Sequence, residues 1–466
     1  MKQDVIIATA TPSGEGAIGV IRLSGPGCIE LIDPFFPSEN LPSAQARRVY
    51  YGPLKDPAGD IIDEVVLTLY RAPASYTGED AVEISCHGSP YILQRVIRLG
   101  NEAGARPAGP GEFSQRAFLN GKLDLSQAEA VADLIASRSA AAHRIALGQL
   151  RGGVSTEIAE LRVKLVDFAS LIELELDFGE EDVEFADRGQ LGDLVKKIRA
   201  RIEALTTSFR LGNAIKEGVS TVIAGRPNAG KSTLLNALLN EERAIVSNIP
   251  GTTRDTIEET VNIDGIPFRL IDTAGIRDAT DAIEAMGVER TLHQVAVGHL
   301  LIYVFDVIET DPATLATDLD RLHREDLDLI VVANKMDLNP YTKYEHYFGP
   351  GYSGRWKVPK ERWIPMIASE RSNLEYLRST LSQIVTGGRG GVDAQEVILS
   401  NARHYDALQR ADHALERVEA GLHSGLSQDF VAMDIRQSLR DLGEITGEIT
   451  TDDLLGNIFS NFCIGK

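Results

Sequence analysis

Cysteine is scarce in this chain: three in 466 residues, Cys28, Cys86 and Cys463, odd in number and far apart. That fits a reducing compartment better than a disulfide framework. Long apolar runs are missing too, none approaching the roughly 20 residues of a membrane span. The first residues also lack the basic, apolar and small-residue succession of a signal peptide, so a cytoplasmic protein is expected. Basic charge is short as well. Lys and Arg number 47 against 68 Asp and Glu, a net charge of −21, which disfavours a non-specific grip on nucleic acid. Any role on RNA then requires a local basic patch or a basic partner. With 466 residues the chain has length for two to four domains and an ample core.

What is present is organised around one stretch, Gly225-Arg226-Pro227-Asn228-Ala229-Gly230-Lys231-Ser232, directly after the apolar run 219–224. A strand that ends in glycines and turns into a helix aims backbone N–H groups and the helix's positive end at one spot, the natural seat of a phosphate. The alternative is a glycine turn that merely caps a helix. The loop residues Asn228, Ala229, Gly230, Lys231, Ser232 and Thr233 are the expected phosphate contacts, with Lys231 reaching the β- and γ-phosphates and Ser232 holding Mg²⁺. Asp272-Thr273-Ala274-Gly275 follows a second apolar strand and supplies a carboxylate behind the Mg²⁺ and a glycine N–H near the γ-phosphate. Asn334-Lys335-Met336-Asp337 follows a third. Asp337 can accept two hydrogen bonds from guanine, whereas adenine offers neither donor, so the nucleotide is GTP. Three such motifs in order on alternating strand and helix segments imply an α/β Ras-like P-loop GTPase domain.

That domain carries three unusual features. Ile276 stands where Ras-type signalling GTPases place the Gln that orients the attacking water, so that role falls elsewhere. Glu284 is the candidate, with a plain surface glutamate as the alternative. Ser247-Asn248-Ile249-Pro250-Gly251-Thr252-Thr253-Arg254-Asp255 reads as the first switch, Thr253 completing the Mg²⁺ shell. With no obvious arginine finger in the chain, a monovalent cation held by Asn228 and switch carbonyls would stabilise charge between the β- and γ-phosphates.

Around this domain the patterning changes. Residues 1–120 read as a small α+β domain, with β-rich runs at 4–10, 16–23, 48–54, 64–70 and 82–86 and helical spacing over 90–103. Arg22, Glu83, His87 and Lys122 lie at element ends there; taken singly, each is more often a surface or turn residue than a ligand. Residues 121–215 are helical, with apolar spacing through 128–150, 154–176 and 191–214. Between Glu173 and Asp187 stand eight acidic residues and no basic one, a solvated loop rather than a metal site. The GTPase domain occupies 216–385, closed by the glycine-rich linker at 387–391. Residues 386–466 are helical again over 395–421 and 430–443. Two helical regions flanking one α/β domain predict a discontinuous all-α domain with the GTPase domain inserted.

The terminal motifs decide among GTPases. Ala10-Thr11-Pro12-Ser13-Gly14, Tyr76-Thr77-Gly78-Glu79-Asp80, His87-Gly88, Leu119 to Asp124, Ile445-Thr446-Gly447-Glu448, Asp453-Leu454-Leu455-Gly456 and the tail Ile458 to Lys466 resemble the MnmE (TrmE) family of tRNA modification GTPases over the whole chain. The resemblance implies a GTP-hydrolysing subunit that works with an FAD-dependent partner, MnmG (GidA), in a heterotetramer. Together they add a (carboxymethyl)aminomethyl group to C5 of the wobble uridine of certain tRNAs, from a tetrahydrofolate derivative in its 5,10-methylene or 5-formyl form. It implies a homodimer through the folate-binding-like N-terminal domain and pairing of GTPase domains across K⁺, with tRNA gripped mainly by the partner. Carried onto this sequence, folate falls to Arg22, Glu83, Lys122 and Lys466. K⁺ falls to Asn228, Ser247, Ile249 and Thr252, Mg²⁺ to Ser232 and Thr253, and water orientation to Glu284. The family's guanine loop reads Ser-Ala where this chain has Ala368-Ser369, which bears on loop conformation more than on specificity. Cys463 is either a thiol near folate or a small residue packed in the tail. A ribosome-assembly or signalling switch is the alternative class; such assembly factors commonly append a basic RNA-binding domain, and none is evident after Gly391.

Overall fold

The computed structural model describes residues 4–177, 188–240, 258–272, 295, 298–325, 327–388, 397–424 and 428–465. They fall into two compact units: residues 4–136, 146–202 and 406–465 form one, and residues 137–145 and 203–405 the other.

In the first unit, six strands form one sheet: β1 Ile6–Thr9, β2 Gly16–Ser24, β3 Val49–Lys55, β4 Ile61–Tyr70, β5 Ala81–Gly88 and β6 Arg106–Pro107, in the order β3-β4-β5-β2-β1-β6. Pairing is antiparallel except between β1 and β6. Strand alternation sends Ile21, Leu23, Val82 and Ile84 to one face, where they bury with Leu93, Val96 and Leu99 of the helix Pro90–Glu102. Arg22 and Glu83 consequently face the other way. The same unit holds the helices Leu125–Ala136, Gly153–Asp177, Gln428–Thr446 and Asp452–Ser460. Leu125, Ala128, Leu455 and Phe459 share one apolar cluster, and Gly465 lies against Thr9 of β1, so the end of the chain stands beside the N-terminal sheet.

The second unit is built on β7 Val219–Ala224, β8 Glu258–Ile263, β9 Ile266–Asp272, β10 Leu300–Asp306, β11 Asp328–Asn334 and β12 Trp363–Pro365, in the order β12-β11-β10-β7-β9-β8. All pairs are parallel except the hairpin β8–β9. β7 and β10 are buried along their whole length, as strands covered on both faces must be. From β7 the chain goes first to one side of the sheet and then to the other. The carboxyl end of β7 is therefore the topological switch point, where open α/β sheets bind ligands.

Two helical expectations are corrected. The spacing through 128–150 is interrupted: one helix ends at Ala136 and the next, Ala140–Leu150, starts after Ser139, whose hydroxyl accepts the Ala142 N–H at 3.1 Å. The expected helix over 395–421 begins only at Ala402. Residues 397–401 are not helical, because Leu399 donates its N–H to the Ser208 hydroxyl at 3.0 Å and its carbonyl lies on Gly212, where any Cβ would collide. An apolar Val-Ile-Leu run reads equally well either way from sequence.

Candidate functional site

At the end of β7 the backbone turns through Gly225, φ 150°, whose missing Cβ leaves room for the Val304 carbonyl. Asn228 follows at φ 60° and Gly230 at φ 100°, with the Asn334 amide filling the space a Cβ would take at Gly230. The helix Lys231–Asn240 begins at once. Lys231 is 9% exposed, and its Nζ donates to the Gly225 and Arg226 carbonyls, each at 2.9 Å. A tight glycine turn running straight into a helix N-terminus, beside one nearly buried ammonium, has the chemistry of a cradle for phosphate oxygens. Ser232 and Thr233 stand exposed at its mouth, the hydroxyl of Ser232 being a hard oxygen donor of the kind Mg²⁺ takes.

The guanine-side motifs meet the cradle through Asn334. Its Nδ2 donates to the Ala229 carbonyl at 2.8 Å and its Oδ1 accepts the Ala368 N–H at 3.0 Å, so this side chain is a strut between two loops. Lys335, at φ 65°, donates its Nζ to Asp306 Oδ2 at 2.6 Å. Burial pushes the Asp306 carboxyl up, but the Lys335 ammonium and the Ile308 N–H together hold it below the usual carboxylate range. The Lys335 ammonium is raised in turn by that bond. Sequence reading missed Asp306; the only signal was an acid closing the apolar run 300–305. Asp337 is exposed beyond Lys335, as is Ser369 beyond the buried Ala368. Because the Ala368 N–H is engaged by Asn334, the exchanged Ala-Ser order leaves Ser369 as the residue facing outward.

Several expected site residues lie outside the described residues: Ser247, Asn248, Ile249, Pro250, Gly251, Thr252, Thr253, Arg254, Asp255, Thr273, Ala274, Gly275, Glu284 and Lys466. The acidic stretch 178–187 lies outside them too. Asp272 closes β9. Among the described residues no group of His, Cys, Asp and Glu has the arrangement of a metal site, and no helix is long and apolar enough to cross a membrane.

A second cluster forms on the face of the N-terminal sheet opposite the helix Pro90–Glu102. Arg22 and Glu83 are direct partners in the β2–β5 register, joined at 2.7 Å and 2.9 Å. Tyr70 donates its hydroxyl to the same carboxylate at 3.3 Å. The guanidinium lies 5.3 Å from the centre of the Tyr76 ring and 5.7 Å from that of Phe113. Lys122 donates to the Pro73 carbonyl at 3.1 Å, its stem lying over Gly78. The tail arrives beside them. Ile464 bridges to Pro110, the Gly111 N–H bonds the Cys463 carbonyl at 3.3 Å, and Gly465 lies against the backbone of Thr9 and Ala10, too close for any Cβ. Tyr70, Tyr76 and Phe113 were not singled out as site residues from sequence, because nothing local marks a tyrosine or phenylalanine that the fold brings to an arginine–glutamate pair from a neighbouring strand, a loop and a helix.

The three thiols differ sharply. Burial pushes Cys28 far above the ordinary thiol range and Cys86 up to about 11, whereas Cys463 is exposed. A thiol-specific chromogenic reagent at pH 8 should therefore label one cysteine quickly in the native protein and all three after unfolding. Cys463→Ser should abolish the fast phase, and a persistent fast phase would show that Cys28 or Cys86 is accessible.

Comparison with known proteins places the site in a family. A model described as the MnmE helical domain matches residues 125–463, and one described as the GTP-binding protein TrmE N-terminus matches residues 5–122. A Cytophaga hutchinsonii protein named tRNA modification GTPase MnmE is 51% identical over 99% of this chain and 98% of its own length. One of the same name from Bacteroides thetaiotaomicron is 49% identical over the full length of both. Among solved structures, Aquifex aeolicus Era bound to GDP and aluminium fluoride is 23% identical over 42% of this chain and 66% of its own, with a TM-score of 0.26. The phosphate cradle at the switch point of β7 and these full-length relatives lead to one conclusion: the chain is a GTPase and belongs to the MnmE family.

Proposed function

We propose that this chain is the GTP-hydrolysing subunit of a cytoplasmic complex that adds an aminomethyl or carboxymethylaminomethyl group to C5 of the wobble uridine of certain tRNAs. A tetrahydrofolate derivative donates the one-carbon unit, and an FAD-dependent partner, MnmG, completes the heterotetramer and supplies most of the grip on tRNA. The observation that carries the reading is the convergence of the Arg22–Glu83 pair, its aromatic neighbours and the C-terminal tail in one unit that also holds the family's terminal motifs. A carboxylate paired with a half-buried guanidinium under aromatic rings suits a flat heterocycle with several N–H donors, the chemistry of a pterin. Arg22, Glu83, Lys122 and Lys466 would hold it. The unit would also form the homodimer, and we retain 1–120, 121–215, 216–385 and 386–466 as the functional division.

In the GTPase domain, Lys231 would exchange its loop carbonyls for phosphate oxygens and Asp337 would select guanine. Ser232 and Thr253 would hold Mg²⁺, while Asn228, Ser247, Ile249 and Thr252 would hold K⁺. When bound there, the two cations would supply positive charge against that which builds on the phosphates during transfer. Glu284 would orient the water. Pairing of two such domains across K⁺ would drive the conformational change.

The direct test combines the full chain, the FAD-dependent partner, unmodified tRNA, methylene-tetrahydrofolate, GTP and K⁺, with nucleoside mass spectrometry as the readout. A modified wobble uridine that disappears on omission of GTP or folate is expected; product formation indifferent to this chain would sink the reading. Hydrolysis alone checks the cation: the rate should rise at least about tenfold in K⁺ over Na⁺ at equal ionic strength, on the scale of one well-placed charge in a site. Glu284→Ala should remove most of the rate while leaving GTP affinity intact. Equal rates in the two salts would exclude the K⁺ role.

A further inference from the structure

One residue of the phosphate loop faces away from the cradle. Arg226 follows Gly225, and its carbonyl accepts both from Lys231 Nζ at 2.9 Å and from the Ala229 N–H at 3.3 Å. Its side chain leaves the loop and makes a two-pronged contact with Asp318, Nε to Oδ2 at 2.6 Å and Nη2 to Oδ1 at 3.1 Å. Asp318 sits on the helix Pro312–Arg321, its side chain 12% exposed, and Oδ2 also accepts the Tyr303 hydroxyl at 2.8 Å. Tyr303 is buried in β10, opposite Ala224 in the β7–β10 register, one residue before the loop begins. The loop is thus gripped at its first turn from outside the site, through a fork geometry that allows little rotation. Burial and the carboxylate push the Tyr303 hydroxyl above the ordinary tyrosine range, so it remains a donor to Asp318.

We propose that Arg226 and Asp318 are positioning residues for GTP, a tether that holds the first turn of the phosphate loop in the shape that presents Lys231 and the backbone N–H groups to the phosphates. The inference rests on reading residues 225–232 as the phosphate loop. Neither side chain touches the nucleotide; the pair acts by sparing the loop the cost of ordering when GTP arrives.

The test is a double-variant cycle in the full chain, with Arg226→Gln, Asp318→Asn and both together, reading GTP affinity, the release rate of a fluorescent GDP analogue and steady-state hydrolysis. Each single change should weaken GTP binding on the order of tenfold, through faster release, and the double variant should be no worse than the weaker single. KM should rise while kcat stays within about threefold, since uniform binding is lost and no transition-state contact is removed. Unchanged affinity in both singles, independent multiplying losses, or a fall in kcat at constant KM would each overturn the tether. Should Asp318→Asn fail to fold, Arg226→Gln, at an exposed guanidinium, decides alone by the same affinity criterion. Lys231→Ala run in parallel separates the two readings: if it leaves affinity untouched, the phosphate-loop assignment falls, whereas failure of the tether variants alone removes only the tether.

Discussion

Lys231→Ala should slow GTP hydrolysis by about 10²–10³-fold, the range found on removing one donor aimed at developing charge in a water-poor site. The ammonium is 9% exposed and bonds two loop carbonyls, so its desolvation is already settled before the nucleotide arrives. On binding, neutral acceptors are exchanged for anionic phosphate oxygens, and charge-assisted bonds of that kind are roughly twice as strong as neutral ones. The same bonds to phosphate oxygens exist before the transition state, so part of the loss should appear as weaker nucleotide binding. Single-turnover hydrolysis at saturating GTP separates the two effects. A rate within threefold of the parent would remove Lys231 from the mechanism.

Glu83→Ala is expected to cost about 2–3 kcal/mol in binding of a tetrahydrofolate derivative, at the low end of the range for truncating a desolvated charge pair, which is about a hundredfold in Kd. The low end applies because Arg22 and Glu83 are 21% and 26% exposed and water screens part of their attraction. The variant strands a guanidinium between two rings and leaves the Tyr70 hydroxyl without its acceptor. Calorimetric titration of the full chain with 5-formyl-tetrahydrofolate checks it. GTP hydrolysis without tRNA should be unaffected, and an unchanged folate affinity would dismiss the N-terminal cluster as a ligand site.

The two sites differ in how far they can be read from the chain. The phosphate cradle is local: eight consecutive residues set its backbone shape, and glycines at 225 and 230 stand where a Cβ would strike Val304 and Asn334. Its supports are not local. Asp306, Asp318 and Tyr303 reach Lys335 and Arg226 only once β10 has paired with β7 and β11, and no spacing in the sequence announces such contacts. The N-terminal cluster is the more distant case. Arg22 and Glu83 are 61 residues apart and meet because one register out of many is selected by which face is apolar. Family resemblance supplied those two residues, while the rings around them emerged only with the fold. Where sequence reading went astray, at 397–401 and at the break after Ala136, the periodicity was helical and a particular tertiary contact or cap overrode it.

The Asn334 strut has a thermodynamic meaning of its own. One carboxamide is bonded at once to the loop proposed for the phosphates and to the loop proposed for the base, so neither can settle without biasing the other. On the proposed site the two halves of the nucleotide would then be linked ligands: filling one end would lower the ordering cost of the other, and by reciprocity the favour would be returned in full. Free pyrophosphate or a bare nucleoside would collect only its own share. Discrimination between guanine and adenine is, on this account, felt as far away as the γ-phosphate.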